Sequence, residues 1–277
     1  MKTKKVIAPV RIDFGGGTTD ISPFKDKYGG CVLNAAINKY VVGEIGGDDK
    51  SVGLKYSGNI PTSSGLGTSG VMNLVWLALI NKERDKVKLA EMVYGLEQAQ
   101  GLVGGKQDQY AAAFGGINFM EFKKDKVIIT KLKLKRNVIK ELEKKLVLVY
   151  IGEHFSGDSN ASMIDNLKKG KNINNLMKIK NIAKEMKQAL LDGDLEEFAD
   201  LMNEETVERK RLHKSIIPNN VQKIINDGLS NGAIGAKVCG SGGGGSVLFF
   251  GNKAKLRRKF GKKVIDFKFD FKGLRFL

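Results

Sequence analysis

The segment Ile60-Pro61-Thr62-Ser63-Ser64-Gly65-Leu66-Gly67-Thr68-Ser69-Gly70 leads directly into an apolar run, Val71 to Ile80, that is long enough for a helix. Backbone N–H groups at a helix N-terminus have no partner within the helix and lie at the positive end of its dipole. Glycines allow a bulky anion to approach that backbone, and the hydroxyl groups can contact phosphate or a metal ion. The segment therefore predicts a phosphate-binding loop, with a nucleotide as its simplest occupant.

Other interpretations of this loop are less consistent with the residues around it. The glycines from Gly65 to Gly70 spell GxGxxG, but a dinucleotide site also needs an acidic residue at the end of a second strand about twenty residues on. Asp85 has that spacing but lies in a stretch, 81–86, that is too polar for a buried strand. A P-loop NTPase needs Lys followed by Ser or Thr, where this chain has Val71-Met72. A glycine turn that only caps a core helix stays open on this segment alone.

The N-terminal segment Ala8-Pro9-Val10-Arg11-Ile12-Asp13-Phe14-Gly15-Gly16-Gly17-Thr18-Thr19-Asp20 contains a second glycine cluster. It predicts a short apolar strand that ends in a glycine turn. Three glycines and two threonines cannot build a core, so the turn predicts a wall that a polar ligand can approach. Asp20 would accept hydrogen bonds from ligand hydroxyls. A hairpin turn with a capping Asp20 is the alternative.

Two carboxylates, Glu97 and Asp108, follow at a spacing of eleven residues. Glu97 lies in a helix predicted from Lys88 to about Leu102, next to its buried side. Asp108 lies near the start of another short helix and is flanked by small residues. A solvated Glu97 and an N-capping Asp108 are the alternatives for each residue taken singly. The apolar positions that predict the first helix by their spacing are Leu89, Met92, Val93 and Leu96.

A third glycine cluster, Val238-Cys239-Gly240-Ser241-Gly242-Gly243-Gly244-Gly245-Ser246-Val247-Leu248-Phe249-Phe250, lies between two apolar strands. Four consecutive glycines are entropically expensive to order. The flanking β-forming residues argue against a flexible linker. The cluster therefore predicts a close approach of backbone to a ligand or to another loop.

Taken in order, these three segments resemble the three motifs of the GHMP kinase superfamily of small-molecule kinases. Further stretches resemble one branch, the D-glycero-D-manno-heptose 7-phosphate kinases and related sugar kinases. The stretches in question are DKYGGCVLNAAINKY, GGKQDQYAAAFGGINFMEF and GAIGAKVCGSGGGG. The resemblance covers nearly the whole chain. It implies an α+β fold of two domains, 1–145 and 146–277, with an active-site cleft between them.

The resemblance also implies an ATP-dependent sugar kinase that uses ATP and Mg²⁺ and acts on a sugar or sugar-phosphate hydroxyl, with the anomeric hydroxyl favoured. Asp108 would accept or orient the proton of the attacking hydroxyl, and Arg11 would pair with Asp108 and offset charge on the phosphoryl group. The implied Mg²⁺ ligands are Ser69 and Glu97. The implied ATP-binding residues are Ser63, Ser64, Gly65, Leu66, Gly67, Thr68 and Ser69. The implied substrate-binding residues are Gly16, Gly17, Thr19, Asp20, Asp108, Gly243 and Gly244.

Composition limits the remaining possibilities. The 277 residues can bury a substantial core, and no apolar run is long enough to span a bilayer. We expect a cytoplasmic protein without a signal peptide, in which Cys31 and Cys239 are buried thiols. The net charge of +17 raises nucleic-acid binding as a second hypothesis, but no stacking aromatics are interleaved with the charges. We therefore expect a small-molecule partner, no specific nucleic acid and no membrane; the oligomeric state is not readable.

Two alternatives stay open at this point. One is a GHMP kinase for another alcohol, such as a mevalonate-like or cyclitol substrate. Asp20 and its glycine turn favour a sugar, because a polyhydroxylated ligand needs such acceptors. The other is a basic nucleic-acid-binding or regulatory protein on a kinase-derived scaffold. The presence of both Glu97 and Asp108 argues against it, because a binding module has no need of this pair.

Overall fold

The computed structural model describes residues 3–47, 52–61, 63–153 and 164–277. Its first sheet has six strands in the order β10-β1-β2-β4-β5, and β3 pairs with the long strand β2. All neighbouring strands in this sheet are antiparallel. The strands are β1 Lys4–Gly15, β2 Gly30–Gly47, β3 Val52–Gly58, β4 Ile117–Phe122, β5 Val127–Lys131 and β10 Arg275–Phe276.

The second sheet has four antiparallel strands in the order β7-β8-β6-β9. The first four residues of β6 and the first six of β8 are buried, which matches their content of Val, Leu and Phe. The strands are β6 Leu146–Gly152, β7 Ala233–Val238, β8 Gly245–Gly251 and β9 Val264–Ile265.

The helices pack on both sheets and connect them. Helices α2 and α4 contact β1 and β2, α7 contacts the same two strands, and α8 packs on α7 and on β7 of the second sheet. None of the helices in the described ranges is long and apolar enough to cross a membrane. The helices are α1 Phe24–Tyr28, α2 Thr68–Ile80, α3 Lys86–Ala99, α4 Gln107–Phe114, α5 Arg136–Lys145, α6 164–168, α7 Ile173–Asp192, α8 Leu195–Leu212, α9 Asn219–Leu229 and α10 Lys253–Phe260.

One hydrophobic cluster contains residues of both sheets. It includes Val10 and Ile12 of β1 together with Leu148 of β6 and Phe250 of β8. Phe14 contributes an edge-to-face contact with Phe198 of α8, with ring centroids 5.3 Å apart. The α+β fold with two sheets agrees with the sequence analysis. The boundary after residue 145 stays a prediction, and β10 returns the C-terminal residues to the first sheet.

Several predicted elements differ in detail. The sequence pattern predicts one strand near 116–130 and another near 264–271. The structure has a hairpin of β4 and β5 in the first segment and only the short strand β9 in the second. Helices α1, α5 and α10 were not predicted, because α1 has five residues and α5 and α10 each bury two side chains in a segment that is mostly charged or polar. In α3, Leu89 and Val93 are buried but Met92 is 41% exposed. The predicted helix near 160–168 falls partly outside the described residues, as do Thr62 and His154.

Candidate active site

The phosphate loop has the backbone that the sequence predicted. Gly65 and Gly67 have φ angles of +74° and +76°, where a side chain is strained. Gly67 is the N-cap of α2, and no side chain caps this helix end, so the first N–H groups of α2 lack a side-chain acceptor. Leu66 is fully buried and its carbonyl accepts from the backbone N–H of Arg11 at 3.2 Å. The loop is thereby fixed to β1.

The hydroxyl groups of the loop divide into two kinds. Ser63 and Ser69 are exposed, and Ser63 has a positive φ of 49°. Ser64 Oγ and Thr68 Oγ1 are buried and have no hydrogen-bond partner among the described residues. Buried hydroxyls without partners are costly, and phosphate oxygens would satisfy them. The donor set of the loop therefore fits the phosphates of a nucleotide.

The third glycine segment packs directly on the phosphate loop. A β-carbon added at Gly245 would lie 2.8 Å from the backbone of Ser64, so only glycine allows this approach. Gly243 donates its backbone N–H to Ile216 O at 2.9 Å, and Gly243 and Gly244 both have positive φ angles. The N–H group of Gly243 is thus engaged by the loop after α8 rather than free for a substrate.

Asp108 and Arg11 form an ion pair beside the loop. Asp108 lies in the first turn of α4 and does not cap that helix. Arg11 donates to Asp108 Oδ1 from Nε at 2.8 Å and from Nη2 at 2.7 Å, and donates from Nη1 to Gly65 O at 2.7 Å. Burial disfavours the charged guanidinium, but the carboxylates of Asp108 and Asp13 outweigh it and raise the pKa of Arg11.

Asp108 also borders the phosphate loop. A β-carbon added at Gly67 would lie 2.8 Å from Asp108 Cγ, and one added at Gly70 would lie 3.2 Å from Asp108 Cβ. The Asp108 side chain is 28% exposed, whereas that of Arg11 is 4% exposed. The carboxylate is therefore accessible to a ligand while its cationic partner is enclosed.

Glu97 of α3 approaches the start of α2. It accepts from Asn73 Nδ2 at 3.2 Å, and a β-carbon added at Gly70 would lie 3.6 Å from Glu97 Oε1. Asn73 lies one helical turn after Ser69, so Ser69 and Glu97 belong to the same end of α2. Burial and the charge of Asp108 raise the pKa of Glu97 to about 7, although the hydrogen bond from Asn73 opposes them. A bound cation would relieve this repulsion.

Asp20 lies at the N-terminal end of α4. It is 1% exposed and accepts from the backbone N–H of Gln107 at 3.1 Å. Its carboxylate fills the space in which a side chain at Gly105 would have to lie. Burial, with the charge of Asp108 added, raises the pKa of Asp20 to about 6, although backbone N–H groups oppose the shift.

The glycine turn before Asp20 is internally bonded. Gly16 has a φ of +86° and donates its N–H to Glu205 Oε2 of α8 at 2.8 Å. Thr19 Oγ1 lies 2.7 Å from Gly16 O and accepts from Cys31 N at 3.0 Å. The Thr19 hydroxyl therefore stabilises the turn, and what the turn presents to a ligand is backbone. Gly17 is buried between Arg209 and Gln107.

Other predictions about single residues have clear outcomes. Cys31 and Cys239 are buried free thiols, as predicted. Asp85 caps α3 by accepting from Lys88 N at 2.8 Å, which agrees with rejecting it as a dinucleotide-site acid.

The sequence analysis did not single out Asn73, Gln107 or Glu205. Asn73 could have been found, because it lies four residues after Ser69 on the same face of a helix that the sequence predicted. Gln107 precedes Asp108 and its Oε1 is buried without a partner among the described residues. Glu205 left no local signal, because its partner Gly16 is 189 residues away.

The fold and the site together define a phosphotransferase of the GHMP type. The model of the GHMP kinases N terminal domain matches residues 31–116, and that of the GHMP kinases C terminal matches residues 186–266. The D-glycero-alpha-D-manno-heptose 7-phosphate kinase of Campylobacter jejuni is 30% identical, and the match covers 99% of each chain. The chain belongs to the GHMP kinase superfamily.

Two solved structures support the same assignment. A D-glycero-D-manno-heptose 1-phosphate kinase from Bacteroides thetaiotaomicron has a TM-score of 0.78 and 27% identity, with coverage of 99% of this chain and 98% of that one. A sugar kinase from Campylobacter jejuni has a TM-score of 0.76 and 27% identity, with coverage of 100% and 98%. The predicted superfamily and its sugar-kinase branch are confirmed.

Proposed function

We propose that the protein transfers the γ-phosphate of ATP to a hydroxyl of a sugar phosphate, with a heptose 7-phosphate-like substrate and its anomeric hydroxyl favoured. The observation that carries the proposal is the Arg11–Asp108 pair, which lies against Gly67 of the phosphate loop. A carboxylate beside a phosphate cradle is where an attacking hydroxyl must be held. The names of the relatives support the substrate class.

In this proposal Asp108 accepts or orients the proton of the attacking hydroxyl. Arg11 holds the Asp108 carboxylate in place and offsets negative charge on the group in transfer. Phosphoryl transfer requires mainly positioning and charge neutralisation from a protein, so one accessible carboxylate with one enclosed cation is a sufficient centre.

Two further parts of the site have proposed roles. Ser64, Thr68 and the N–H groups at the start of α2 hold the phosphates of ATP, because the two hydroxyls have no hydrogen-bond partner among the described residues and no side chain caps this end of α2. Ser69 and Glu97 hold Mg²⁺, for which a hydroxyl and a carboxylate are suitable oxygen ligands. The bound Mg²⁺ supplies positive charge to the phosphates.

Asp20 and the backbone of Gly17 bind the sugar, and Gly16, whose N–H and carbonyl are already hydrogen-bonded, shapes the turn. The buried carboxylate of Asp20 lies close enough to Asp108 for its pKa to respond to that charge, so one substrate can reach both groups. The Asp20 carboxylate is enclosed and its pKa is raised. Such a group suits a polyhydroxylated ligand, because sugar hydroxyls would donate to its ionised form and stabilise it. This favours a sugar over a mevalonate-like substrate, which has fewer hydroxyl groups, and the names of the relatives favour a sugar over a cyclitol.

A substrate panel tests the proposal. ADP release is measured with ATP and Mg²⁺ against heptose 7-phosphates, other sugar phosphates, free sugars, mevalonate and inositol. We expect turnover with a sugar phosphate, and phosphorus NMR of the product then identifies the hydroxyl that reacted. Turnover with mevalonate or inositol alone would reject the sugar-phosphate assignment and leave the superfamily unchanged.

A further inference from the structure

Four charged side chains lie beneath the glycine turn, and none has a part in the proposed reaction. Asp13, Glu205, Arg209 and Lys237 are each at most 1% exposed. Lys237 Nζ donates to Asp13 Oδ2 at 2.5 Å and lies 3.5 Å from Glu205 Oε1. Arg209 Nη1 lies 3.8 Å from Asp13 Oδ2. They form one buried ion cluster that joins β1, α8 and β7.

Each end of the cluster holds the backbone of a glycine segment. Glu205 Oε2 accepts from Gly16 N at 2.8 Å. Asp13 Oδ1 accepts from Gly240 N at 3.1 Å, and Arg209 Nη2 donates to Gly240 O at 2.6 Å. The cluster therefore connects the glycine turn after β1 to the glycine segment that packs on the phosphate loop.

The turn also lies in direct contact with these charges. A β-carbon added at Gly15 would lie 2.7 Å from Glu205 Oε2, and one added at Gly17 would lie 2.8 Å from Arg209 Nη1. Met186 of α7 also borders Gly15, 2.5 Å from the β-carbon added there. Glu205 and Arg209 therefore bound the turn backbone on the side of α8, and the hydrogen bond from Gly16 to Glu205 adds to those that Thr19 makes within the turn.

Fold stability alone gives a weak reason for this arrangement. Burying four charges carries a large desolvation penalty, and well-packed apolar residues often stabilise a protein equally well. The penalty is visible at two positions: burial raises the pKa of Glu205, and Arg209 Nε and Nη1 lack hydrogen-bond partners among the described residues. What the ion cluster adds is a fixed conformation of the two glycine segments.

We propose that Glu205 and Arg209 are positioning residues for the sugar: they hold the glycine turn 15–17 in its binding conformation without contacting the substrate. The predicted effect on sugar binding rests on the proposed function, because the proposed function takes the backbone of this turn as part of the sugar site. The predicted effect on the conformation of the turn does not depend on any substrate.

The test compares Glu205→Met with a matched control, Glu208→Met. Glu208 lies on the same helix and is 7% exposed, but it accepts from Asn175 and contacts Arg211, away from the turn. Hydrogen–deuterium exchange of the 14–20 peptide in the free protein should accelerate at least severalfold in Glu205→Met and not in the control. Unchanged exchange in Glu205→Met would overturn the proposal.

The kinetic readout separates positioning from general loss of stability. Losing the hydrogen bond to a charged acceptor should raise the sugar KM of Glu205→Met about tenfold, with the ATP KM within twofold of wild type. Glu205→Gln, which keeps an acceptor for Gly16, should recover most of the affinity. An unchanged sugar KM, or equal rises for sugar and ATP, would overturn the proposal.

Arg209→Lys provides a second variant if Glu205→Met does not fold. It keeps the buried positive charge but loses the planar fork that spans Gly17 and Gly240. It should also accelerate exchange in the 14–20 peptide, and unchanged exchange would count against the proposal. If wild type phosphorylates no sugar phosphate, the proposed function fails, while the exchange result still decides whether the cluster positions the turn.

Discussion

At the residue scale, the Asp108 carboxylate uses its two oxygens differently. Oδ1 accepts from both Nε and Nη2 of Arg11, while Oδ2 faces Gly67 of the phosphate loop. Asp108→Asn should therefore lower kcat by about 10²–10⁴, because an amide cannot act as a base. The variant should still bind ATP, and this is measured as the rise in melting temperature that ATP causes. Turnover within threefold of wild type would reject Asp108 as the base.

If Asp20 binds the sugar as proposed, its burial links substrate binding to stability. Its pKa of about 6 in the folded protein lies above the ordinary value of 3.8, so between about pH 4 and pH 6 the folded state holds a proton that the unfolded chain releases. The free energy of unfolding therefore falls as pH rises through this window. The loss is on the order of a few kcal/mol and is complete above the folded pKa.

Asp20→Asn tests this trade between binding and stability. The variant has no charge to bury and its amide oxygen can still accept from Gln107. Its melting temperature should exceed that of wild type at pH 7.5, and the difference should vanish near pH 4. Its sugar KM should rise about 10²-fold, because two charge-assisted hydrogen bonds are lost, while the ATP KM changes little. A lower melting temperature at pH 7.5 would show that the charge stabilises the turn.

Most residues of the candidate site could be named from the sequence because they lie in three local motifs. The family resemblance alone implied that Arg11 and Asp108 pair, although 97 residues separate them. The residues that hold these motifs in place could not be named from the sequence. Glu205 and Arg209 lie in a helix full of charged residues, and only the packing of α8 under the turn distinguishes them from surface charges.

At the element scale, α2 and α3 bring Ser69 and Glu97 to one end of α2. If these residues hold Mg²⁺, Ser69→Ala and Glu97→Gln should each raise the Mg²⁺ concentration for half-maximal activity, because each removes one oxygen ligand. Glu141→Gln, on α5 and 42% exposed, serves as the control and should leave the titration unchanged. If the magnesium titrations of both variants match that of the wild type, the roles of both residues are structural.

A helix or strand could be predicted where its own residues carry the pattern of apolar side chains that defines it. Helix α2 is apolar along most of its length and the strands of the second sheet are rich in Val and Phe, so both could be predicted from the sequence. Helix α10, KAKLRRKF, could not, because only Leu256 and Phe260 are buried. Strand β10 has two residues and exists through pairing with Val6 and Ile7, which no local pattern reveals.

At the scale of the whole molecule, the fold unites residues from both ends of the chain, and the charge is its dominant surface property. The 47 basic and 30 acidic residues give a net charge of +17. Such a field attracts ATP and phosphorylated sugars as well as nucleic acids. Lysines on separate elements, such as Lys187 on α7 and Lys86 on α3, lie over aromatic rings of the protein itself, Phe119 and Phe114.

We therefore expect the charge to give weak nucleic-acid binding without sequence preference. Because such binding comes from counterion release, the affinity for labelled duplex DNA should fall by about 10³-fold or more between 50 and 200 mM salt if several phosphates are contacted. Fluorescence anisotropy with two unrelated duplexes and one RNA hairpin measures this, and the curves should coincide at each salt concentration. ATP and sugar-phosphate turnover should be insensitive to added duplex at 150 mM salt. A complex with one sequence that persists at that salt would instead favour a nucleic-acid-binding role for this kinase scaffold.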